Sequence, residues 1–301
     1  MPLICTVGDL VTDVVVHLDR DPQRGTDTPA RVEHVRGGSA ANVAVAAVAS
    51  GGSARFVGQV GDDVRGRQLV AELQSAGVDT VVAERGHTGT IVVLVDEHGE
   101  RSFLTDRGAA VHLAAAPSGV LDGVDMLHVP AYSFMFGGLA DTSHRLIGEA
   151  VDREIPISIS TSSVAALAEF GRDRFLDLVK NVQPELVIAN SEEAKFLLQG
   201  HPWFIHAAAT VITAGARPAR LVRPDGSDVR VAPEQISPRD TTGAGDAFTG
   251  SFLVAHARGE DAEASLVAGH AMARRTLDVS GAGLSDNRSA GYDTTAEETP
   301  L

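Results

Sequence analysis

Two kinds of segment, which differ in their pattern of apolar and polar positions, alternate along the chain. Short runs rich in β-branched residues predict strands, at 3–9, 54–61, 90–97, 126–131, 156–160, 185–190 and 209–215. Longer segments rich in Ala and Leu predict helices, at 40–50, 64–76, 139–152, 172–180, 192–198, 244–258 and 262–277. This alternation is typical of βαβ units. It predicts an α/β fold of three layers, α/β/α, with a mostly parallel central sheet.

Two segments, at about 11–35 and 88–107, read as strands without an adjoining helix. The sequence TGTIVVLVDEHGERSFLTD in the second predicts a hairpin that turns at DEHGE. We predict that the two segments pair into a small separate sheet, a lid over the main one. A further hairpin is predicted in LVRPDGSDVRV, turning at Asp225 and Gly226. We predict that the lid segments are insertions in a single domain over 1–285, and we expect a flexible tail at 286–301.

Composition and charge narrow the class of protein. The chain has 301 residues, 44% of them hydrophobic, and a net charge of −15. This negative charge argues against nucleic acid as a partner. Without a run of about 18 uncharged apolar residues, no membrane span is predicted. Because the N-terminus lacks signal-peptide features and Cys5 is the single cysteine, we predict a cytoplasmic protein with a buried thiol at that position.

The segment DTTGAGDAFTG, from Asp240 to Gly250, carries the candidate chemistry. Its small residues allow a close backbone approach to a ligand, and a helix that starts there directs unpaired N–H groups at an anion. A carboxylate at Asp246 would repel a bound phosphate but suits a general base that accepts a hydroxyl proton. Together they indicate phosphoryl transfer. The alternative is a glycine-rich turn in which Asp246 only complements the helix dipole.

Seven motifs, in one order over about residues 3–285, resemble the ribokinase-like sugar kinases, or PfkB family. DTTGAGDAF resembles the C-terminal signature and RGGSAANVAVAAVASGG the N-terminal one. VGDLVTD is similar to the family's opening strand, TGTIVVLVDEHGERSFL to its lid hairpin, and ANSEEA to its Asn-x-x-Glu segment. VITAG is similar to its nucleotide strand, and SGAGLS to its C-terminal loop. The resemblance implies a ribokinase-like fold with a β-sheet lid, and ATP and Mg²⁺ as cofactors.

The resemblance also implies roles for individual residues. Asp246 would be the catalytic base and Gly243, Ala244 and Gly245 the anion hole. The substrate hydroxyls would be held by Asp13, Gly37, Gly38 and Asn42. Asp accepts hydrogen bonds and Asn both donates and accepts them, which suits a polyol. Taken without the resemblance, Asn42 could equally be a helix cap.

On the nucleotide side, the resemblance places Asn190 and Glu193 near Mg²⁺ and the phosphates, through water, because Mg²⁺ keeps its hydration shell. Thr213 and Gly215 would flank the nucleotide. A potassium ion beside the anion hole would be bound by the loops that contain Asp240, Thr242, Gly281 and Ser285. Read alone, the Asn190 segment is a helix start and the Thr213 segment a strand end that meets a turn.

The sequence departs from the family pattern at two places. Residues 160–162 are Ser, Thr and Ser where many relatives carry an Asp, and Ser39 stands where ribokinases proper have Lys. Arg107, at the return of the lid, could reach an acidic sugar, although a solvated side chain is the simpler expectation.

The function predicted is ATP-dependent phosphorylation of a primary hydroxyl of a sugar or sugar acid, with pairing of two copies through the lids. One alternative is a nucleoside kinase of the same fold, which would need aromatic lid residues beyond Phe103. The other is a catalytically idle homologue that only binds ligands. A Rossmann-type dehydrogenase is excluded, because GDLVTD stands after the first strand in place of G-x-G-x-x-G.

Overall fold

Two β-sheets form the framework of the computed structural model, which describes residues 1–201, 204, 206–236 and 241–277. In chain order, the strands are β1 (Leu3–Val7), β2 (Val11–Leu18), β3 (Ala30–Gly37), β4 (Ser53–Val60), β5 (Asp79–Glu84), β6 (Thr88–Val95), β7 (Arg101–Gly108), β8 (Met126–Pro130), β9 (Ile157–Ser160), β10 (Leu186–Asn190), β11 (Ala209–Ala214), β12 (Arg217–Val222) and β13 (Asp228–Val231). The main sheet has the order β13-β12-β11-β10-β9-β8-β1-β4-β5. Neighbouring strands pair in parallel except at one edge, where β11 with β12 and β12 with β13 pair antiparallel, so that β12 and β13 form a hairpin. The predicted mostly parallel sheet and the second predicted hairpin are confirmed.

Eight helices in the described part of the chain cover the two faces of this sheet. They are α1 (Ser39–Ala49), α2 (Val64–Ser75), α3 (Gly137–Asp152), α4 (Val164–Phe170), α5 (Arg172–Val182), α6 (Ser191–Leu198), α7 (Ala244–Ala257) and α8 (Ala262–Leu277). Apolar side chains of α1, α2, α7 and α8 form one core with the sheet, and those of α3 to α6 form the other. The fold is therefore α/β/α. Within the same residues, no helix combines the length and the hydropathy that a bilayer crossing requires.

The second, smaller sheet has the order β3-β2-β6-β7. It consists of two antiparallel hairpins whose inner strands, β2 and β6, run parallel. Val15, Val93 and Val95 form its own small apolar cluster. At the start of β7, the Arg101 side chain donates to the hydroxyl of Thr242, so this sheet reaches the loop just before α7. The predicted small sheet is confirmed.

Two elements were not predicted from the sequence. The edge strand β5 has mostly half-exposed and exposed residues, so it shows no alternation of buried apolar positions. The short helix α4 begins at Ser163, whose side chain accepts a hydrogen bond from the N–H of Ala166. The helix is only seven residues long, so its sequence is too short to show the apolar periodicity on which a helix prediction depends. Its start is marked instead by the cap.

Close packing of α1 against α7 positions the residues described below. A Cβ added at Gly250 in α7 would lie 2.5 Å from the Val43 carbonyl oxygen and 2.6 Å from the Ala46 Cβ. Only a hydrogen fits there, so the backbones of the two helices touch. Because α1 is built mainly from Ala and Val, it offers a smooth surface for this contact.

Loss of Phe252 is expected to destabilise the core between α7 and the sheet. Its side chain is fully buried, so Phe252→Ala removes its contacts and leaves a cavity that costs about 3–5 kcal/mol. The free energy of unfolding, measured by urea denaturation, checks this. As a control, Val267→Ala on α8 removes a side chain that is 51% exposed and should change stability by less than about 0.5 kcal/mol. Equal effects of the two substitutions would contradict the packing described.

Candidate active site

The first turn of α7 lies at the edge of the main sheet where the parallel strands end. Gly243 precedes the helix with a φ of 74°, a left-handed conformation that favours glycine. The Ala244 N–H points back at the Thr241 carbonyl oxygen, at 3.4 Å. A Cβ added at Gly245 would meet nothing within 4 Å, so open space borders this turn. The arrangement fits an anion that approaches the helix N-terminus.

Asp246 is half-buried in this turn and held by two residues of α1. Ser39 Oγ donates to its Oδ1 at 2.7 Å, and Asn42 Nδ2 donates to its Oδ2 at 3.1 Å. Burial raises the pKa of Asp246 to about 6, although both hydrogen bonds favour the carboxylate and act in the opposite direction. Asp246 is therefore ionised at neutral pH and can accept a proton.

Arg36, at the end of β3, orients the amide of Asn42. Its Nε and Nη2 both lie 3.3 Å from Asn42 Oδ1. With the amide oxygen held by a cation, the amide nitrogen is directed at Asp246. Asn42 does not cap α1, because the N-cap is Gly38 and makes no side-chain hydrogen bond. The helix-cap alternative for Asn42 is wrong.

The glycine pair before α1 accommodates two acidic residues. A Cβ added at Gly37 would lie 2.1 Å from Asp13 Oδ1, and one at Gly38 would lie 2.2 Å from the Asp9 carbonyl oxygen. Gly38 also has a φ of 107°. The Oδ1 atoms of Asp9 and Asp13 are buried without a hydrogen-bond partner in the described structure. Such orphaned acceptors fit a ligand that donates hydroxyl groups.

The carboxyl group of Asp13 has a strongly altered protonation equilibrium. Burial, together with the nearby carboxylates of Asp9 and Asp246, raises its pKa to about 7, against the attraction of Arg107. Both oxygen atoms of a protonated Asp13 remain able to accept, and its hydroxyl can donate. The group can therefore match either kind of hydrogen-bond partner on a polyol near neutral pH.

Arg107 lies in the site and is not the solvated side chain expected from the sequence. Its Nη1 is 2.7 Å from Asp9 Oδ2, and the Arg107 side chain is only 16% exposed. Its guanidinium stacks on the rings of Tyr132 and Phe136, at 4.5 and 5.5 Å from their centroids. Asp9 and Ser39 were missed as site residues. Ser39 was noted only as a departure from the family pattern, and no local signal marks Asp9 as the partner of Arg107.

Asn190 and Glu193 form a reciprocal cap at the start of α6. Glu193 N–H donates to Asn190 Oδ1 at 2.9 Å, while Asn190 Nδ2 donates to Glu193 Oε1 at 2.7 Å. Glu193 Oε2 accepts from the Asn190 N–H and from the hydroxyl of Thr161, in the segment that lacks the family's Asp. Burial raises the pKa of Glu193.

Both oxygens of this buried carboxylate are engaged. The described residues also contain no group of three or more His, Cys, Asp or Glu side chains that could hold a metal ion. With both of its oxygens engaged, Glu193 would contact an Mg²⁺ ion bound to nucleotide phosphates through water.

The other nucleotide-side residues lie at the same edge of the sheet. Thr213 is the register partner of Asn190 on the neighbouring strand, and Gly215 follows with a φ of 60°. Thr242 lies directly before the anion-hole segment. Of the proposed potassium loops, Asp240, Gly281 and Ser285 fall outside the described residues.

The sequence matches the family model described as pfkB family carbohydrate kinase over residues 1–289, and the chain belongs to this family. It is 28% identical to the ribokinase of Bacillus subtilis (strain 168) over 274 residues, which cover 87% of this chain and 88% of the relative. The fold is similar to that of the adenosine kinase from Sinorhizobium meliloti (TM-score 0.83, 22% identity, 93% and 94% covered). It is also similar to a putative Ribokinase II from E. coli in complex with ATP and Mg²⁺ (TM-score 0.81, 17% identity, 94% of each chain covered).

Asp13→Asn is expected to stabilise the protein, although it removes a carboxyl group from the candidate site. A carboxyl whose pKa rises from 3.8 to about 7 on folding binds more protons in the folded state, so its contribution to stability falls as pH increases between these values. The neutral Asn removes that loss. The gain in free energy of unfolding should grow from about pH 4 to about pH 7 and reach a few kcal/mol, since each unit of pKa change is worth about 1.4 kcal/mol. Urea denaturation across this range measures it. A gain that does not depend on pH would contradict the assignment.

Proposed function

We propose that this protein is an ATP-dependent kinase that phosphorylates a primary hydroxyl of a sugar or sugar acid. The observation that carries the proposal is Asp246. It is a half-buried carboxylate in the first turn of α7, beside a glycine-flanked helix N-terminus and fixed by two donors from α1. A base beside an anion site is the arrangement that in-line phosphoryl transfer requires.

The residues of the site have separate roles in the proposed reaction. ATP supplies the phosphoryl group, and Mg²⁺ compensates its negative charge. Asp13, Gly37, Gly38 and Asn42 hold the acceptor, with Asp13 offering an oxygen that has no other partner. Asp246 accepts the proton of the attacking hydroxyl, and a pKa of about 6 suits a base near neutral pH. The backbone of Gly243, Ala244 and Gly245 stabilises the charge that develops on the transferred group.

The nucleotide is proposed to lie along the sheet edge by Asn190, Glu193, Thr213 and Gly215. The pairing of Asn190 with Thr213 supports this, because it brings both segments to one place. Arg101, which contacts Thr242, links the small sheet to the same region. A lid held there excludes water, which would otherwise hydrolyse ATP.

Among acceptors, a neutral sugar is favoured over a nucleoside or a sugar acid. Asp9 already neutralises Arg107, and three carboxylates around the acceptor position disfavour a further negative charge. Phe103 is 59% exposed on the small sheet, and this exposure does not favour its ring as a stacking surface for the base of a nucleoside. The competing observation is the stack of Tyr132, Phe136 and Arg107, which a nucleoside could use; it keeps the nucleoside kinase as the second candidate.

Two further proposals concern the surroundings of the site. A potassium ion is proposed beside the anion hole, where exchange for sodium would change the rate. A second copy is proposed to pair through the small sheet. The exposed apolar side chains of Val32, Phe103 and Leu104 on that sheet support the pairing.

The proposal is tested by ADP release from Mg-ATP, in potassium buffer, across neutral sugars, sugar acids and nucleosides. Turnover of a neutral sugar would support the favoured acceptor class, and turnover of a nucleoside would establish the second candidate. If compounds raise the melting temperature but none is phosphorylated, the protein is an idle binder.

Asp246→Asn is expected to lower kcat by about 10²-fold or more, because the amide cannot accept the hydroxyl proton. Binding of the acceptor, measured by calorimetry, should change little, since Asn keeps the size of the side chain. Asp141→Asn, an exposed position on α3, serves as the control and should leave kcat unchanged. A variant of Asp246 with the wild-type kcat would refute its role as the base.

Ser39→Ala is expected to move the pH dependence of the reaction. Wild-type kcat/KM should fall below about pH 6, because protonated Asp246 cannot act as a base. The Ser39 hydroxyl stabilises the carboxylate and lowers its pKa, so its removal should shift this acidic limb upward by about one pH unit. Ser50→Ala, at the other end of α1, should leave the limb in place. An unchanged limb in Ser39→Ala would show that this hydrogen bond does not tune the base.

A further inference from the structure

Beside α6, on the face of the main sheet opposite α7, the strands β12 and β13 form an open shelf. Ile212, Arg220 and Arg230 are register partners across β11, β12 and β13. Their alternate neighbours, such as Leu221, pack into the core under α1, α2, α7 and α8. The row therefore faces the other side, where it and α6 enclose a cleft of about 440 Å³.

The inner wall of this cleft is apolar. Ala194 and Leu198 contribute it from α6, Ile212 from β11, and Pro218 from the start of β12. A volume of about 440 Å³ is in the range of sites that bind small molecules, which are concave and mostly apolar with a few polar groups. The cleft thus has both the size and the lining for a small organic ligand.

The rim of the cleft is positively charged. It carries Lys195, Arg217, Arg220 and Arg230. Among the described residues, the carboxylate that pairs with this rim is Asp228, which accepts from Arg220 Nη2 at 2.7 Å and from Arg230 Nη2 at 2.6 Å. Four cationic side chains against one carboxylate leave an excess of three positive charges, in a protein whose net charge is −15.

Lys195 and Arg217 make no salt bridge with an acidic residue in the described part of the chain. Arg217 instead donates to Ser191 Oγ at 3.2 Å. A cationic rim around an apolar wall matches a ligand with a doubly charged anionic group on an apolar body, since guanidinium groups bind phosphate in bidentate fashion. The overall negative charge disfavours a polyanion such as nucleic acid.

We propose that this cleft is a second binding site, for a small phosphate monoester with an apolar body, separate from the catalytic centre. The bound ligand would act as an effector of ATP binding, a role that rests on the proposed kinase function. Ser191 lies between Asn190 and Glu193, and Arg217 lies two residues after Gly215, so a ligand that engages Arg217 disturbs both nucleotide-side segments. Occupancy of the cleft therefore changes the affinity for ATP, and the reverse holds by linkage.

Calorimetry with phenyl phosphate tests the site, with the catalytic centre saturated by a non-hydrolysable ATP analogue and Mg²⁺. Phenyl phosphate should bind at one site, more tightly than inorganic phosphate, and phenol should not bind. The double variant Arg217→Gln and Arg230→Gln should raise its Kd by about tenfold or more. The matched control is Arg67→Gln with Arg274→Gln, which removes two arginines of α2 and α8 and should leave the Kd unchanged.

Binding that survives in the cleft variant, or that is absent from the wild-type protein, would overturn the site. A Kd of the ATP analogue that is the same with and without phenyl phosphate would overturn the effector role. Asp246→Asn should retain phenyl phosphate binding. A failure of the proposed kinase function would appear as lost or absent turnover with this binding intact, so the two failures are distinguishable.

Discussion

The contact between α1 and α7 is the constraint on which the candidate site depends. Gly250 allows the backbones to touch, and this brings the beginnings of both helices to the same edge of the sheet. Ser39 and Asn42 are thereby placed against Asp246, more than two hundred residues away in the chain. Burial between two helices raises the pKa of the carboxyl, while the two donors keep it ionised near neutral pH. A larger side chain at the contact would separate the base from both donors, and the consequence would be chemical as well as structural.

Around this contact the protein concentrates negative charge, which opposes folding. The carboxylate of Asp9 raises the pKa of both Asp13 and Asp246, and the partial burial of the Asp13 carboxyl lowers the stability of the folded protein. Arg107 and Arg36 offset part of this cost, the first by pairing with Asp9 and the second through the amide of Asn42. Structural stability alone does not require such a cluster. Its geometry supports the proposed acceptor, whose hydroxyl groups would pair with the carboxylate oxygens that have no other partner.

Much of the fold follows from features that are local in sequence. Alternating apolar runs indicate the parallel sheet, and the glycine turn at Asp225 and Gly226 indicates its terminal hairpin. The glycine pair at 37–38 and the motif around Asp246 mark two sides of one site. The partners of these groups were less accessible, because they depend on tertiary packing. Arg107 meets Asp9 across 98 positions and Ser39 meets Asp246 across 207, and no periodicity encodes either contact. The edge strand β5 was not predicted for a related reason, because its half-exposed positions show no alternation of buried and exposed residues.

The division of the site between elements also explains why the chemistry is easier to infer than the acceptor. The proposed base, Asp246, and the proposed anion hole at 243–245 lie at the start of α7, where a short motif marks them in the sequence. The groups that would select an acceptor come from elsewhere: Asp9 from the loop after β1, Arg107 from the end of β7, and the rings of Tyr132 and Phe136 from the segment after β8. Each of these can change without disturbing the contact between α1 and α7. The fold can therefore keep one phosphoryl-transfer centre while the acceptor varies, which agrees with the ribokinase and adenosine kinase names among the proteins it resembles.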